Sequence, residues 1–202
     1  FEAVDKVQSL GLNYIEAYPG QSFSPEKPDT RFDHNMSEEL RQEALAKLEE
    51  CGVNLVCYGV VGLPADEAES RKVFEFAKAM GIHTITSEPQ FDALDTIEKL
   101  ADEYGINVAI HNHPKPSRYW NPETVLEVVE GRSERIGACA DTGHWARSGV
   151  NPVEALKMLE GRIISFHFKD LNEFGTREAH DVPWGTGVCD VEGILNEIHR
   201  QG

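Results

Sequence analysis

The stretch IISFHFKD, Ile163–Asp170, decides the fold because it sorts its side chains by chemistry onto two faces. If it is a strand, Ile164, Phe166 and Phe168 share one face. Ser165, His167 and Lys169 share the other. In an open sheet covered by helices on both sides, both faces are apolar, whereas barrel strands turn polar groups inward near their carboxyl ends. The stretch therefore predicts a barrel strand with a polar inner face.

Three earlier stretches divide their side chains in the same way: NYIEAY (13–18), IHTITSEP (82–89) and NVAIHNH (107–113). Amphipathic helical patterns that end at glycine precede the strands, as SEELRQEALAKLEECG (37–52) precedes VNLVCYGVVG (53–62). A repeating helix and strand unit predicts a parallel sheet.

Six strands can be counted, whereas a closed barrel of this type has eight. The chain begins inside a helical pattern and ends on another, DVEGILNEIHRQG (190–202). We therefore predict an α/β chain with the (β/α)8 TIM barrel fold that lacks the first and last strands. Residues 1–202 are interpreted as a single barrel domain, cropped from a longer barrel.

Composition narrows the classes of partner. The 202 residues carry a formal net charge of −16, which repels nucleic acid. No apolar stretch is long enough to span a membrane, and four cysteines without CxxC spacing predict reduced thiols. Neither an initiator methionine nor a signal segment opens the chain, so the sequence does not choose between a cytoplasmic and a periplasmic location.

Titratable side chains gather where the predicted strands end. His111, Asp141 and His167 come from three different strands at one level, so we predict that they are metal ligands. Imidazole and carboxylate together suit one divalent ion, Mn²⁺, Co²⁺, Zn²⁺ or Mg²⁺. An isolated histidine such as His83 is more typical of the surface.

Other residues at these exits are candidates for catalysis or substrate binding. His144 fits either a metal ligand or a hydrogen-bond partner of substrate. Lys169 fits a group that holds a hydroxyl or stabilises an enolate, or it only pairs with Asp170 beside it. We predict catalytic roles for Lys169, Glu88 and His113, with Glu16 at the substrate-binding rim; ordinary rim charges are the alternative for the two glutamates.

All three tryptophans fall in segments that follow strands, where the active face of a barrel is built. Indole faces pack against the C–H faces of sugars, which predicts a carbohydrate-binding rim. Alternatively, the backbone N–H groups of WGTG (184–187) could bind a phosphate group. The predicted rim tryptophans are Trp120, Trp145 and Trp184.

At AIHNHP, ADTGHW, FHFKD and HDVPWGTGVCDVEGIL the chain resembles the sugar phosphate isomerase/epimerase family of xylose isomerase-like TIM barrels. The resemblance implies one divalent metal, held by a Glu, an Asp, a His and a second Glu at the last four strand exits. Asp141 and His167 match the aspartate and the histidine, and His111 stands where relatives carry the first glutamate. The second glutamate is expected beyond Gly202. His144 matches a residue that contacts substrate.

The resemblance further implies a metal-dependent sugar or keto-sugar isomerase or epimerase, which removes a proton next to a metal-bound carbonyl. Three alternatives stay open at this point: a lyase acting on 3-keto-glycosides, a zinc phosphodiesterase like endonuclease IV, and a non-catalytic sugar-binding barrel. The expected partner is a small carbohydrate, and neither nucleic acid nor a membrane is expected. Because barrels of this family often associate, a homo-oligomer is one of the open alternatives.

Overall fold

The computed structural model of the protein describes all of residues 1–202. All six predicted strands are present and alternate with helices along the chain. The predicted α/β class with parallel strands is confirmed. Contacts divide the chain into two compact units, Phe1–Asn107 and Val108–Gly202, and each is described by itself. The single-domain interpretation stays a prediction.

The first unit contains three parallel strands, β1, β4 and β5, with β4 paired to both of the others. A short antiparallel hairpin, β2 and β3, follows β1 and was absent from the sequence prediction. The strands are β1 (Tyr14–Ala17), β2 (Gln21–Ser24), β3 (Lys27–Phe32), β4 (Asn54–Tyr58) and β5 (Thr84–Ser87). The helices are α1 (Glu2–Ser9), α2 (Glu38–Cys51), α3 (Glu67–Ala79) and α4 (Leu94–Tyr104), the last preceded by a 3-10 turn, Phe91–Ala93.

Helix boundaries in the first unit follow from capping chemistry. The Ser37 hydroxyl accepts the N–H of Leu40 at the start of α2, and Gly52 ends that helix in the left-handed conformation. The Asp66 carboxylate accepts two N–H groups at the start of α3. The helix-then-strand rhythm in the sequence therefore has a local physical cause.

The second unit contains the parallel strands β6, β7 and β8, with β7 in the middle. The strands are β6 (Asn107–His111, beginning at the last residue of the first unit), β7 (Ile136–Asp141), β8 (Ile163–His167), β9 (Asp170–Leu171) and β10 (Asp181–Val182). The helices are α5 (Pro122–Val129), α6 (Thr142–Arg147), α7 (Pro152–Met158) and α8 (Val191–Gln201). Every residue of β7 is buried, as expected of a central parallel strand.

The longest helix, α2, has 14 residues, and none of the helices combines the length and apolar character that crossing a bilayer requires.

Candidate functional site

Three strands of the second unit end on the three predicted metal ligands. β6, β7 and β8 end at His111, Asp141 and His167. In the register of the parallel pairs, Asp141 lies opposite His167, whereas His111 lies opposite Cys139, two residues before Asp141. The prediction that these side chains come together at one edge agrees with the structure. His111 lies two residues farther from that edge, level with Cys139, in the register of the sheet.

Asp141 lies at the centre of a cluster formed with Lys169, His111, His144 and His167, and its two carboxylate oxygens bind different groups. Oδ1 accepts the backbone N–H of His144 at 2.8 Å and so caps helix α6. Oδ2 accepts a hydrogen bond from Lys169 Nζ at 2.7 Å. Three imidazole nitrogens also lie within 3.7 Å of Oδ2: His111 Nε2, His144 Nε2 and His167 Nδ1.

Asp141 is fully buried and nevertheless ionised. Burial on its own would raise the pKa of this carboxyl. The adjacent imidazoles of His111 and His167, together with the charge of Lys169, outweigh burial and hold the pKa of Asp141 well below its ordinary value. The carboxylate is therefore available to a cation at neutral pH.

The imidazoles around Asp141 form one continuous group. His111 Nε2 and His167 Nδ1 are 3.0 Å apart, a hydrogen-bond distance. The ring centroid of His113 lies 4.3 Å from the ring centroid of His111 and 5.2 Å from that of His144. Five of the predicted catalytic and metal residues of this unit, with His144, are thus gathered in one place.

Two polar side chains that the sequence analysis missed hold the strand exits in register. The Asn112 amide donates to the carbonyl of Asp141 at 2.9 Å and accepts its N–H at 2.8 Å. The Thr142 hydroxyl bridges to the next strand, since it donates to the Lys169 carbonyl and accepts the Lys169 N–H, each at 2.8 Å. These bonds continue the sheet ladder past the strand ends and fix the spacing of the cluster.

His144 presents an N–H group to the site. Its Nδ1 faces Arg147 Nη1 at 3.2 Å, and a guanidinium can only donate, so Nδ1 accepts and the ring proton lies on Nε2. Burial lowers the pKa of His144 to about 3, against the opposing charge of Asp141, so the ring is neutral. Of the two roles open for His144, this tautomer favours donation to substrate over metal ligation.

Lys169 and Asp170 do not pair with each other. The Lys169 stem packs against Gly143, where an added Cβ would lie 2.8 Å from the lysine Cβ, and its Nζ binds Asp141. The buried Asp170 accepts four backbone N–H groups, among them those of Gly185 and Gly187 at 2.9 and 2.8 Å. Those glycine N–H groups are already bonded, which removes the phosphate cradle considered for WGTG.

The tryptophans occupy three different environments. Trp145 lies in helix α6 and is 1% exposed, so it packs in the core instead of presenting a face on the rim as expected. The Trp120 ring is covered on one side by Lys115 Nζ, 3.9 Å from its centroid. Trp184 is 68% exposed and donates Nε1–H to the Phe168 carbonyl. Trp184 is the exposed one of the three, and the predicted carbohydrate-binding rim stays a prediction.

Glu16 and Glu88 lie in the first unit. Glu16 is exposed on β1, and Glu88 is partly buried directly after β5. Their predicted parts in substrate binding and catalysis stay predictions.

Cys139 is a further residue that the sequence analysis did not assign to the site. Its Sγ and one nitrogen each of His111 and His167 lie within 4.8 Å of one another, as do nitrogens of His111, His113 and His144. The signal was present in the sequence: Cys139 precedes Asp141 by two residues and so shares its strand face.

The donor set fits a divalent transition metal. Tetrahedral zinc with nitrogen and oxygen ligands at about 2.0–2.2 Å places neighbouring ligand atoms roughly 3.3–3.6 Å apart. The separations of His111, His167 and Asp141, 3.0 to 3.7 Å, fall close to that range. Imidazoles favour transition metals over Mg²⁺.

Comparison with known proteins identifies the family of this chain and its relatives. The family model described as the xylose isomerase-like TIM barrel matches residues 4–202. An inosose dehydratase of Clostridium beijerinckii is 26% identical over 128 residues, 55% of this chain and 43% of that enzyme. The chain thus spans less than half the length of this curated relative.

Solved structures agree on the fold. A crystal structure of a protein from Parabacteroides distasonis is 36% identical, with a TM-score of 0.76 over 99% of this chain and 80% of that one. The crystal structure of the IOLI protein with a bound zinc atom shares the fold at 17% identity, with a TM-score of 0.74 over 100% and 80% of the two chains. The chain belongs to the xylose isomerase-like TIM barrel family.

Proposed function

We propose that this protein is a divalent-metal-dependent enzyme that removes a proton next to the carbonyl of a keto sugar or keto polyol, as an isomerase or epimerase. The observation that carries the proposal is the convergence on Asp141 Oδ2 of Lys169 Nζ at 2.7 Å and three imidazole nitrogens within 3.7 Å. A buried carboxylate ringed by titratable groups is typical of a catalytic centre.

His111, Asp141 and His167 would hold the ion, which polarises a carbonyl and acidifies the adjacent C–H when bound. Lys169 donates to Oδ2 at 2.7 Å, which neutralises the carboxylate and holds this oxygen in place. The ligand set has one carboxylate, so it carries less negative charge than a set with several.

The protein's own groups supply the proton transfers. His144 donates Nε2–H to a substrate oxygen and stabilises the charge that develops there. His113, whose ring is next to those of His111 and His144, is the candidate base within this unit, and Glu88 is the alternative. Return of the proton to the neighbouring carbon gives an isomer, and return to the opposite face gives an epimer.

Dehydration is the second candidate, and the inosose dehydratase relative favours it. The first step is the same proton abstraction. The outcome differs because a hydroxyl on the next carbon then leaves as water, with a proton that the His144 N–H is placed to deliver. Small cyclic keto polyols are therefore substrates to test beside open-chain keto sugars.

The test is solvent-deuterium exchange with the zinc- or cobalt-loaded protein, followed by proton NMR over a panel of keto sugars and keto cyclitols. We expect deuterium at the carbon next to the carbonyl for at least one compound, and no exchange with Asp141→Asn. Inverted product identifies an epimerase, and an enone that absorbs in the ultraviolet identifies a dehydratase. A stoichiometrically metal-loaded protein that exchanges no compound in the panel contradicts the proposal.

A further inference from the structure

Cys139 lies on strand β7, two residues before Asp141. It is fully buried on β7, opposite His111 of β6 on one side and Ser165 of β8 on the other. Because side chains alternate along a strand, Cys139 shares the face of Asp141. A thiol therefore lies on the same side of the sheet as the predicted metal ligands.

The ligand atoms are close enough for one ion. Cys139 Sγ, one nitrogen of His111 and one nitrogen of His167 are mutually within 4.8 Å. Zinc binds sulfur at about 2.3 Å and imidazole nitrogen at about 2.0–2.1 Å, so tetrahedral ligands lie roughly 3.3–3.6 Å apart. Side-chain rotations that move each atom by less than about an ångström close the triangle on an ion.

A second observation comes from the neighbouring strand. The Ser165 hydroxyl oxygen is buried and has no hydrogen-bond partner in the protein. Buried polar atoms are seldom unpaired, and an ion or its attached water is one of the groups that satisfies them. Ser165 is the register partner of Cys139, so the unpaired oxygen lies in the same row as the thiol.

The other three cysteines have different surroundings. Cys57 Sγ lies 3.0 Å from the Thr86 hydroxyl, Cys51 Sγ contacts Asp5, and burial raises the pKa of the Cys189 thiol to about 11. Cys139 is the cysteine whose Sγ lies within 4.8 Å of nitrogens of two histidines, His111 and His167.

We propose that Cys139 is a sulfur ligand of the metal, together with His111 and His167, with Asp141 Oδ2 as the fourth donor. Such a set is soft, so it selects Zn²⁺ or Co²⁺ and rejects Mg²⁺ and Mn²⁺. The proposal rests on the metal site of the proposed function, with which it shares His111, Asp141 and His167. It adds the sulfur ligand and the metal's identity, and it does not depend on which reaction is catalysed.

The experiment is a Co²⁺ titration of the reduced, metal-free chain followed by absorption. A thiolate bound to Co²⁺ gives an intense near-ultraviolet charge-transfer band that imidazole and carboxylate ligands do not give. We expect the band in the wild type and in Cys57→Ser, the matched control in strand β4. We expect its loss in Cys139→Ser, with zinc affinity lowered at least ~100-fold, since even residues behind metal ligands cost up to that much.

A triple variant, Cys51→Ser, Cys57→Ser and Cys189→Ser, keeps the test decisive if Cys139→Ser fails to fold. It retains Cys139 alone, so the band must persist in it. Visible cobalt bands without the charge-transfer band in the wild type overturn sulfur ligation and leave the proposed function intact. No cobalt binding by the wild type contradicts both proposals.

Discussion

Strands β4 and β7 both carry a buried cysteine near their carboxyl ends, and the difference between their surroundings separates packing from chemistry. In the first unit the polar atoms close into neutral pairs: Cys57 Sγ with the Thr86 hydroxyl at 3.0 Å, and the Ser87 hydroxyl with the Val61 carbonyl at 2.7 Å. Around β7 one carboxylate oxygen instead faces a lysine and three imidazoles.

The two arrangements differ in what a lost partner costs. A neutral hydrogen bond contributes about 0.5–1.5 kcal/mol to stability, and its loss is felt locally. A buried charge that loses its partner costs about 3–5 kcal/mol. Groups such as Ser87 therefore specify packing, whereas the Asp141 cluster holds charge ready for a cation or a substrate.

The largest expected effect comes from Asp141→Asn, which removes the shared charge and keeps the shape. We expect metal affinity to fall at least ~100-fold and proton exchange to fall below detection, because the ion loses its one carboxylate ligand. Isothermal titration with Zn²⁺ and deuterium exchange measure the two losses.

The matched control is Ser87→Ala at the end of β5. It should cost about 1–3 kcal/mol of unfolding free energy by leaving the Val61 carbonyl unpaired, with metal affinity unchanged. Equal metal affinity in Asp141→Asn and the wild type would remove the distinction between the two units.

The sequence predicts the strands, and it predicts that His111, Asp141 and His167 meet at one edge, because both depend on local rules. Alternation in IISFHFKD requires only strand geometry, and strand exits share an edge in any parallel sheet. The register of β6 against β7 is a long-range property, so the deeper row of His111 and Cys139 and the Asn112 and Thr142 bridges could not be predicted.

Trp145 shows a different kind of miss. The sequence analysis places Trp145 on the rim because its segment follows a strand, yet Asp141 caps a short helix that carries Trp145 into the core. An Asp three residues before a backbone N–H that it can accept is a helix start signal, so capping chemistry could have identified α6. Its contact with the core could not have been identified without the packed neighbours.

A smaller effect concerns pH and His144 in the metal-free protein. Its ordinary pKa is 6.5 and its folded pKa is about 3, so between these values the unfolded chain binds a proton that the folded chain does not. The unfolding free energy therefore falls as pH falls from 6.5, by roughly 2 kcal/mol at pH 5. Urea unfolding in chelator at several pH values measures the slope.

His144→Gln should flatten that slope, and His83→Gln, at an exposed position in the first unit, should leave it as in the wild type. Above pH 5 the carboxyl of Asp141 stays ionised in both states, so it does not contribute to the difference. Parallel curves for the wild type and His144→Gln would show that burial does not keep this imidazole neutral.

The smallest expected effect tests how His144 is positioned. Arg147 binds His144 Nδ1, the Ala179 carbonyl at 2.9 Å and Asp181 at 2.7 Å, and so fixes both ring and tautomer. Arg147→Met should lower kcat/KM about tenfold while metal affinity stays unchanged, because the N–H donor is no longer held on Nε2. Nitrogen-15 NMR of the imidazole should show a shift from the Nε2–H tautomer toward a mixture.

The control is Arg71→Met, which breaks the ion pair with Glu67 in the first unit. It should change neither kcat/KM nor the His144 tautomer. A variant that loses turnover while His144 keeps the Nε2–H tautomer would mean that Arg147 acts by another route, such as holding the Asp181 segment.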